Sequence, residues 1–197
     1  MHVQLKIDGR VSGALISSPI TAAAQVAELW PAGLIGQDDA TWDWPNLVRD
    51  HPHGLEWLQF ELTIDQQVQG LMILHCDRPM RSPANTRTQG AYIEYLATAP
   101  WNRRDENGQR TDTRFPRAAP VGLLLLCVAI KFSFSTGFDG RLGWHSKQGA
   151  EQWYKDTLPG LWAGGPDLAE DNLEYFEISR EVAAACLNGL AGSFLDE

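Results

Sequence analysis

The sequence predicts a single-domain α+β fold with a mixed, mostly antiparallel central sheet flanked by helices. Three observations carry this expectation. Two strand-like segments within residues 55–76 meet across a short turn, which makes an antiparallel hairpin. One long apolar run, Val121 to Ile130, sits in a segment that opens at Pro120 and stops at Gly137, so it reads as a helix packed on more than one side and lying on a sheet. The 197 residues, 44% of them hydrophobic, suffice for one sizeable core.

His2 to Ile7 alternates Val3, Leu5 and Ile7 with polar partners and forms a strand, with Asp8-Gly9 as the turn after it. Thr21 is placed to cap a helix running through Ala24, Val26, Leu29 and Trp30, closed by Pro31 and Gly33. Gln37 to Gly54 is irregular and aromatic, and reads as a binding loop or lid. Leu55–Ile64 and Val68–Cys76 are the hairpin strands, joined by Asp65-Gln66-Gln67. Ala91–Ala99 is a third strand, with Tyr92, Glu94, Leu96 and Thr98 on one face. The helix from Pro120 to Thr136 follows, then a short strand Arg141–His145, a short helix Gly149–Thr157, an aromatic strand Asn172–Ser179 and a closing amphipathic helix Glu181–Leu190.

The formal charge of −9 argues against general binding of nucleic acid or anionic membrane. Residues 78–117 depart from this, with eight arginines against four acidic residues, which marks a local anion site or a solvated Arg-rich loop. The start of the chain has no apolar run of signal-peptide length and no segment approaches a membrane span, so a cytoplasmic protein is expected. Three widely spaced cysteines make no disulfide framework, and the short pairs His51-x-His53 and His75-Cys76 lack the converging ligands of a zinc site. No metal is expected.

The chemistry concentrates between Ala91 and Leu126. A strand ends at Ala99-Pro100-Trp101-Asn102-Arg103, and a helix opens at Arg117-Ala118-Ala119-Pro120-Val121-Gly122. A helix N-terminus offers unpaired N–H groups and partial positive charge, and small residues before it let an anion approach the backbone. Arg117 adds a charge-assisted donor.

These segments, followed in order by Gly137-Phe138-Asp139-Gly140-Arg141-Leu142-Gly143-Trp144-His145, Ala150-Glu151-Gln152-Trp153-Tyr154 and Leu173-Glu174-Tyr175-Phe176-Glu177-Ile178, resemble the GNAT family of N-acetyltransferases. The resemblance spans about residues 55–180, with 1–54 a variable N-terminal part containing the aromatic loop 37–54, and 104–115 an inserted loop. It implies a GNAT-like fold and an enzyme that moves an acetyl group from acetyl-CoA, a cosubstrate, directly to a primary amine of a small molecule or protein. In the family's diphosphate loop, Arg/Gln-x-x-Gly-x-Gly/Ala, Arg117 and Gly122 match the ends while Pro120 replaces the first glycine. The implied cofactor contacts are Leu96, Ala97 and Thr98 on the strand, and Arg117, Ala118, Ala119, Val121, Gly122 and Leu123 at the helix start. Tyr154 matches the tyrosine that protonates the departing thiolate, and a phenol with pKa about 10 carries its proton at neutral pH. Glu94 is the candidate base, although the family's glutamate position matches Tyr92; His75 and His145 stand behind it. Lys147 replaces a common asparagine. Trp42, Trp44 and Tyr92 are expected to bound the acceptor amine, and a homodimer is compatible with the family. The alternative is a catalytically degenerate GNAT-like module that binds a protein partner through the insertion and the Trp-rich segment.

Overall fold

The computed structural model describes residues 2–7, 10–30, 41–84, 88–104, 109, 112–115 and 118–189. The strands are β1 (His2–Ile7), β2 (Arg10–Ser17), β3 (Trp57–Ile64), β4 (Gln67–Pro79), β5 (Gln89–Thr98), β6 (Ala118–Ala119), β7 (Leu142–Ser146), β8 (Trp162–Asp167) and β9 (Leu173–Ile178). The helices are α1 (Ala23–Leu29), α2 (Trp44–Asp50), α3 (Val121–Ser135), α4 (Glu151–Thr157) and α5 (Arg180–Gly189). All nine strands join one sheet in the order β6-β1-β2-β3-β4-β5-β7-β9-β8. Every neighbour is antiparallel except β5 and β7, which run parallel. A parallel pair needs a crossover, and α3 supplies it.

The expected α+β class is therefore observed, and most elements lie within a few residues of their sequence positions. Asp65 and Gln66 both take positive φ (48° and 65°), the twist that a tight two-residue hairpin requires. Four details differ. Residues 10–17 form β2, and 162–167 form the edge strand β8, whose Gly164-Gly165-Pro166 reads as loop text. Within the segment expected to be an irregular lid, Trp44–Asp50 is a helix, started by Asp43 accepting from the Asn46 N–H (3.2 Å) with Pro45 in its first turn. Thr21 does not cap α1. The buried carboxylate of Glu61 on β3 takes that place, accepting from the N–H groups of Thr21 (2.8 Å) and Ala22 (3.0 Å) and from the Thr21 hydroxyl (2.8 Å). An anion beside a helix N-terminus satisfies its free donors and its dipole.

Two apolar layers cover the sheet. On one face α3 lies across β3, β4, β5 and β7 with α5 outside it, and Leu124, Leu125, Leu126, Ile130, Leu142, Trp144 and Phe176 are sealed from solvent. On the other face α1 and α2 bring Val26 and Trp44 onto Val68, Leu71, Ile73 and Ala97. Each large apolar side chain so buried stabilises the fold by about 1.5–3 kcal/mol before entropy is counted. The α3 helix approaches β4 closely because residue 70 is glycine: a Cβ there would stand 2.7 Å from Val121 Cγ1 and 2.9 Å from Leu125 Cδ1. Cys127 of α3 and Cys186 of α5 face each other as free thiols with sulfurs 3.5 Å apart.

A buried polar knot fixes where α3 begins. The Gln69 Oε1 accepts from Trp101 Nε1 (2.9 Å) and Asn102 Nδ2 (3.1 Å), and Asn102 Oδ1 accepts from the Ala118 N–H (2.7 Å). Asn102, just after β5, is thus tied to Ala118, just before α3. Gln69→Leu orphans the buried Trp101 indole N–H and removes one acceptor of Asn102 Nδ2, which keeps its bond to the Gln69 carbonyl (3.2 Å); an orphaned buried donor costs about 1–3 kcal/mol. We expect the unfolding free energy in urea to drop by about 1–3 kcal/mol, with Gln69→Glu, which keeps the acceptors, retaining more of it.

Candidate active site

The ladder between β5 and β7 is short. Ala91, Tyr92 and Ile93 pair with Leu142, Gly143 and Trp144, and no further pair follows, although β5 continues to Thr98 and β7 to Ser146. The β4–β5 register shifts where Ile73 and Leu74 face Tyr95 and Ile93, leaving Glu94 as the extra residue of a bulge. A bulge bends its strand, and here it coincides with the parting of β5 from β7. The result is a V-shaped opening within the sheet.

The bulge also corrects the expected side-chain pattern. Tyr92, Glu94, Leu96 and Thr98 do not share one face. Ala91 and Ile93 face α3 before the bulge; after it Leu96 packs against that core and Thr98 Cγ2 lies against the start of α3, while Tyr95 and Ala97 join the opposite layer. The Ala99 N–H donates to Gln69 O (2.8 Å), so positions 97 and 99 address β4, and by alternation the backbone groups of Leu96 and Thr98 address the opening. Ala97 does not. The Thr98 carbonyl accepts from the Arg103 guanidinium, with Nε at 2.6 Å.

The N-terminus of α3 stands at the same opening. Pro120 is its N-cap residue, no side chain caps it, and the first intrahelical bond is Leu124 N–H to Pro120 O (3.0 Å). The N–H groups of Val121, Gly122 and Leu123 precede that bond. A Cβ on Gly122 would lie 3.5 Å from Thr98 Cγ2 and 4.0 Å from the Trp153 ring, so the glycine keeps a narrow gap between helix, strand and α4. Ala118 and Ala119 are not part of this cradle: they form β6 against β1, and the Ala118 N–H is taken by Asn102. Arg117 lies outside the described residues.

Tyr154 follows Trp153 on α4 and is 9% exposed, its ring 5.0 Å from that of Trp144 and 5.9 Å from that of Phe176. The Trp144 indole N–H, on the β7 residue of the last β5–β7 pair, is buried and has no hydrogen-bond partner among the described residues. On the other face Trp42 lies beside Tyr95 (5.1 Å between ring centres), with the Lys147 ammonium 5.9 Å from its ring, so it touches both lips of the opening. Trp44 does not: it is 3% exposed and lies in the core under α1 and α2. Glu94 forms an ion pair with Arg78 (3.1 Å), whose guanidinium also covers the Tyr92 ring at 4.6 Å.

A charged cluster that sequence spacing did not reveal lies next to Tyr92. The Tyr92 hydroxyl bonds His145 Nδ1, His145 Nε2 bonds Asp167 Oδ2 (3.2 Å), and Asp167 also pairs with Arg81. Behind it Glu177, fully buried, accepts from the Arg81 N–H, the Ser82 N–H (2.9 Å) and the Tyr175 hydroxyl (2.7 Å). Tyr92 and His145 were candidates separately, as an acceptor contact and a second-choice base; Asp167 and Arg81 come from β8 and the segment after β4, and no local pattern links the four. The bond from Arg81, together with the Ala169 N–H, holds Asp167 down to about 2. Burial pushes Glu177 up, but bonds from Ser82, Arg81 and Tyr175 outweigh it and leave its pKa below the ordinary value of 4.5. Carboxylates depressed in the folded state stabilise it above their unfolded values and lose that contribution as pH falls. Stability is therefore expected to decline from about pH 4.5 downward, and Asp167→Asn should flatten the part between its ordinary 3.8 and about 2 in acid titrations followed by circular dichroism.

Among the described residues no group of three or more His, Cys, Asp or Glu converges to hold a metal ion, and no helix is long and apolar enough to cross a membrane.

A sheet parted beside the N-terminus of its crossover helix is the arrangement of the GNAT acetyltransferase fold, and this chain has that fold. Solved structures that share it include FeeM, an N-acyl amino acid synthase from uncultured soil microbes (12% identity, covering 89% of this chain and 96% of that one, TM-score 0.54). A GNAT-family protein from Desulfovibrio desulfuricans (14%, 85% and 99%, 0.53) and a bacterial toxin (9%, 93% and 99%, 0.55) share it too. No family model and no curated protein matches the sequence.

Proposed function

We propose that the protein is an acetyl-CoA-dependent N-acetyltransferase that passes the acetyl group directly to a primary amine. One observation carries the reading: the β5–β7 opening runs into the uncapped N-terminus of α3 at Gly122. The site fits CoA on two further counts, the gap that a side chain at 122 would narrow and the unpartnered indole N–H of Trp144. The N–H groups of Val121, Gly122 and Leu123 would take the diphosphate. Arg103, held on the carbonyl of Thr98, the strand residue that faces Gly122, supplies a cation on this side of the opening, which would offset the donor that Pro120 lacks. The backbone of Leu96 and Thr98 would pair with the amide groups of the pantetheine arm, and an N–H there would hold the thioester oxygen as charge develops. Tyr154 gives its proton to the sulfur as the C–S bond breaks. The acceptor enters on the face of Trp42 and Tyr92, where Glu94 is held in an ion pair with Arg78.

Calorimetric titration with acetyl-CoA tests this. Binding in the micromolar range is expected, and Gly122→Val, which fills the gap against Thr98 and Trp153, should weaken it by at least tenfold while the fold is kept. No heat, together with no thermal upshift at millimolar ligand, would sink the proposal.

A further inference from the structure

The cluster on the far side of the opening has an order that its packing does not require. Tyr92 belongs to the second of the three pairs that close the V, and His145 is the first residue of β7 beyond the last pair. Asp167 ends β8 and lines a cleft of about 370 Å³ with Arg81, Trp162, Leu168 and Tyr175. The side chains of Tyr92 and His145 are about 5% exposed, that of Asp167 15%. A hydrogen-bonded chain thus starts inside the molecule at the opening and ends at a carboxylate that meets solvent.

We propose that Tyr92, His145 and Asp167 form a proton outlet leading from the acceptor side of the β5–β7 opening to the surface cleft at β8; this rests on the acetyltransferase reading. Ionised Asp167 accepts from Nε2–H, which fixes that tautomer and leaves Nδ1 to accept from the Tyr92 hydroxyl. The groups facing the imidazole are Tyr92 from β5, Arg81 after β4, Asp167 from β8, Glu170 from the β8–β9 turn and Tyr175 from β9. Burial lowers the pKa of His145, so the ring is neutral and ready to receive a proton at pH 7. It raises that of Tyr92, so the phenol is protonated and acts as a conduit, never as a standing phenolate.

The steps balance. The acceptor ammonium gives a proton to the Tyr92 oxygen as the Tyr92 proton moves to Nδ1. The freed amine lone pair forms the C–N bond, the C–S pair leaves on sulfur, sulfur takes the Tyr154 proton, and the second proton of the acylated nitrogen restores the Tyr154 hydroxyl. The imidazolium then gives its Nε2 proton to water at Asp167, and exchange of the remaining Nδ1 proton for one on Nε2 restores the starting tautomer. In sum, acetyl-CoA and an ammonium give an amide, CoA thiol and one proton. On this view Tyr92 is the residue that meets the acceptor, while His145 and Asp167 act through it.

Two measurements test the outlet. In ¹⁵N-histidine spectra of the ligand-free protein at pH 7, His145 is expected as the neutral Nε2–H tautomer, and Tyr92→Phe should shift its Nδ1 signal. A cationic or Nδ1–H imidazole overturns the proposal. In acetyl transfer to spermidine, lysine amide and glycinamide, followed by thiol release, Tyr92→Phe and His145→Gln should each lower kcat by about 100-fold and change the acid limb of its pH profile. The KM for acetyl-CoA should stay within about threefold. Unchanged kcat and pH profile in Tyr92→Phe overturn the outlet and leave the acetyltransferase reading standing. Wild-type protein that binds acetyl-CoA yet acetylates none of these amines also counts against the outlet. Failure of acetyl-CoA to bind wild-type protein overturns the underlying reading, whatever the spectra show.

Discussion

Tyr154→Phe is expected to lower turnover by at least about 100-fold while acetyl-CoA affinity stays within about threefold. The ring keeps its place, since Trp144, Phe176 and Trp153 hold it at 5.0, 5.9 and 4.9 Å and none of these contacts uses the hydroxyl. Loss of one hydrogen-bonding group should cost the fold only about 1 kcal/mol. What disappears is the proton for the leaving thiolate, whose expulsion then has to wait for water in a largely buried site. Steady-state thiol release and calorimetry on the same preparation separate the two effects, and an unchanged rate removes Tyr154 from the mechanism.

Glu177→Ala should produce the largest loss of stability. Its carboxylate is fully buried and accepts three hydrogen bonds, two of them from the backbone of Arg81 and Ser82 just beyond β4. Alanine orphans all three donors at about 1–3 kcal/mol each. Partial relaxation makes the sum smaller than three full penalties, so a drop of about 3–6 kcal/mol is expected in urea unfolding, a large fraction of a typical domain's 5–15 kcal/mol. Glu177→Gln keeps one acceptor oxygen and should lose less. The same change frees Arg81, and through it Asp167, so the His145 resonances should move although residue 177 does not touch that ring.

Local pattern reached the elements whose residues carry their own instructions. The β3–β4 hairpin shows as apolar segments around a turn, and α3 shows as an apolar run bounded by Pro120 and by Gly137, whose φ of +84° suits a helix stop. The start of α3 at Pro120 and the Trp153-Tyr154 pair were visible in the same way. Four things were not. The strand β8 contains Gly164-Gly165-Pro166 and is held by pairing with β9, so nothing in its own six residues announces it. The bulge at Glu94 is a property of two strands together, and it moved Leu96 and Thr98 to the face opposite Tyr92. Trp44, taken from composition as a contact for the acceptor, is part of the core because Asp43 and Pro45 turn that segment into a helix. The Tyr92–His145–Asp167 chain comes from residues 92, 145 and 167, and only the folded sheet makes them neighbours.

The parting of β5 from β7 gives this sheet a third edge. Ordinary open sheets have two, at their outermost strands, where unpaired N–H and C=O groups invite another chain and must be shortened, bent or covered. Here one outer edge is β1, paired at Lys6 and Ile7 with the two-residue β6, and the other is the glycine- and proline-bearing β8. The backbone of Leu96 and the Thr98 N–H lie instead inside the sheet, in the notch where β5 parts from β7, while the Thr98 carbonyl is held by Arg103. An unbranched, amide-containing arm is the shape that can enter it. The fold thus keeps its most adhesive backbone away from other proteins and reserves it for a ligand that completes the sheet.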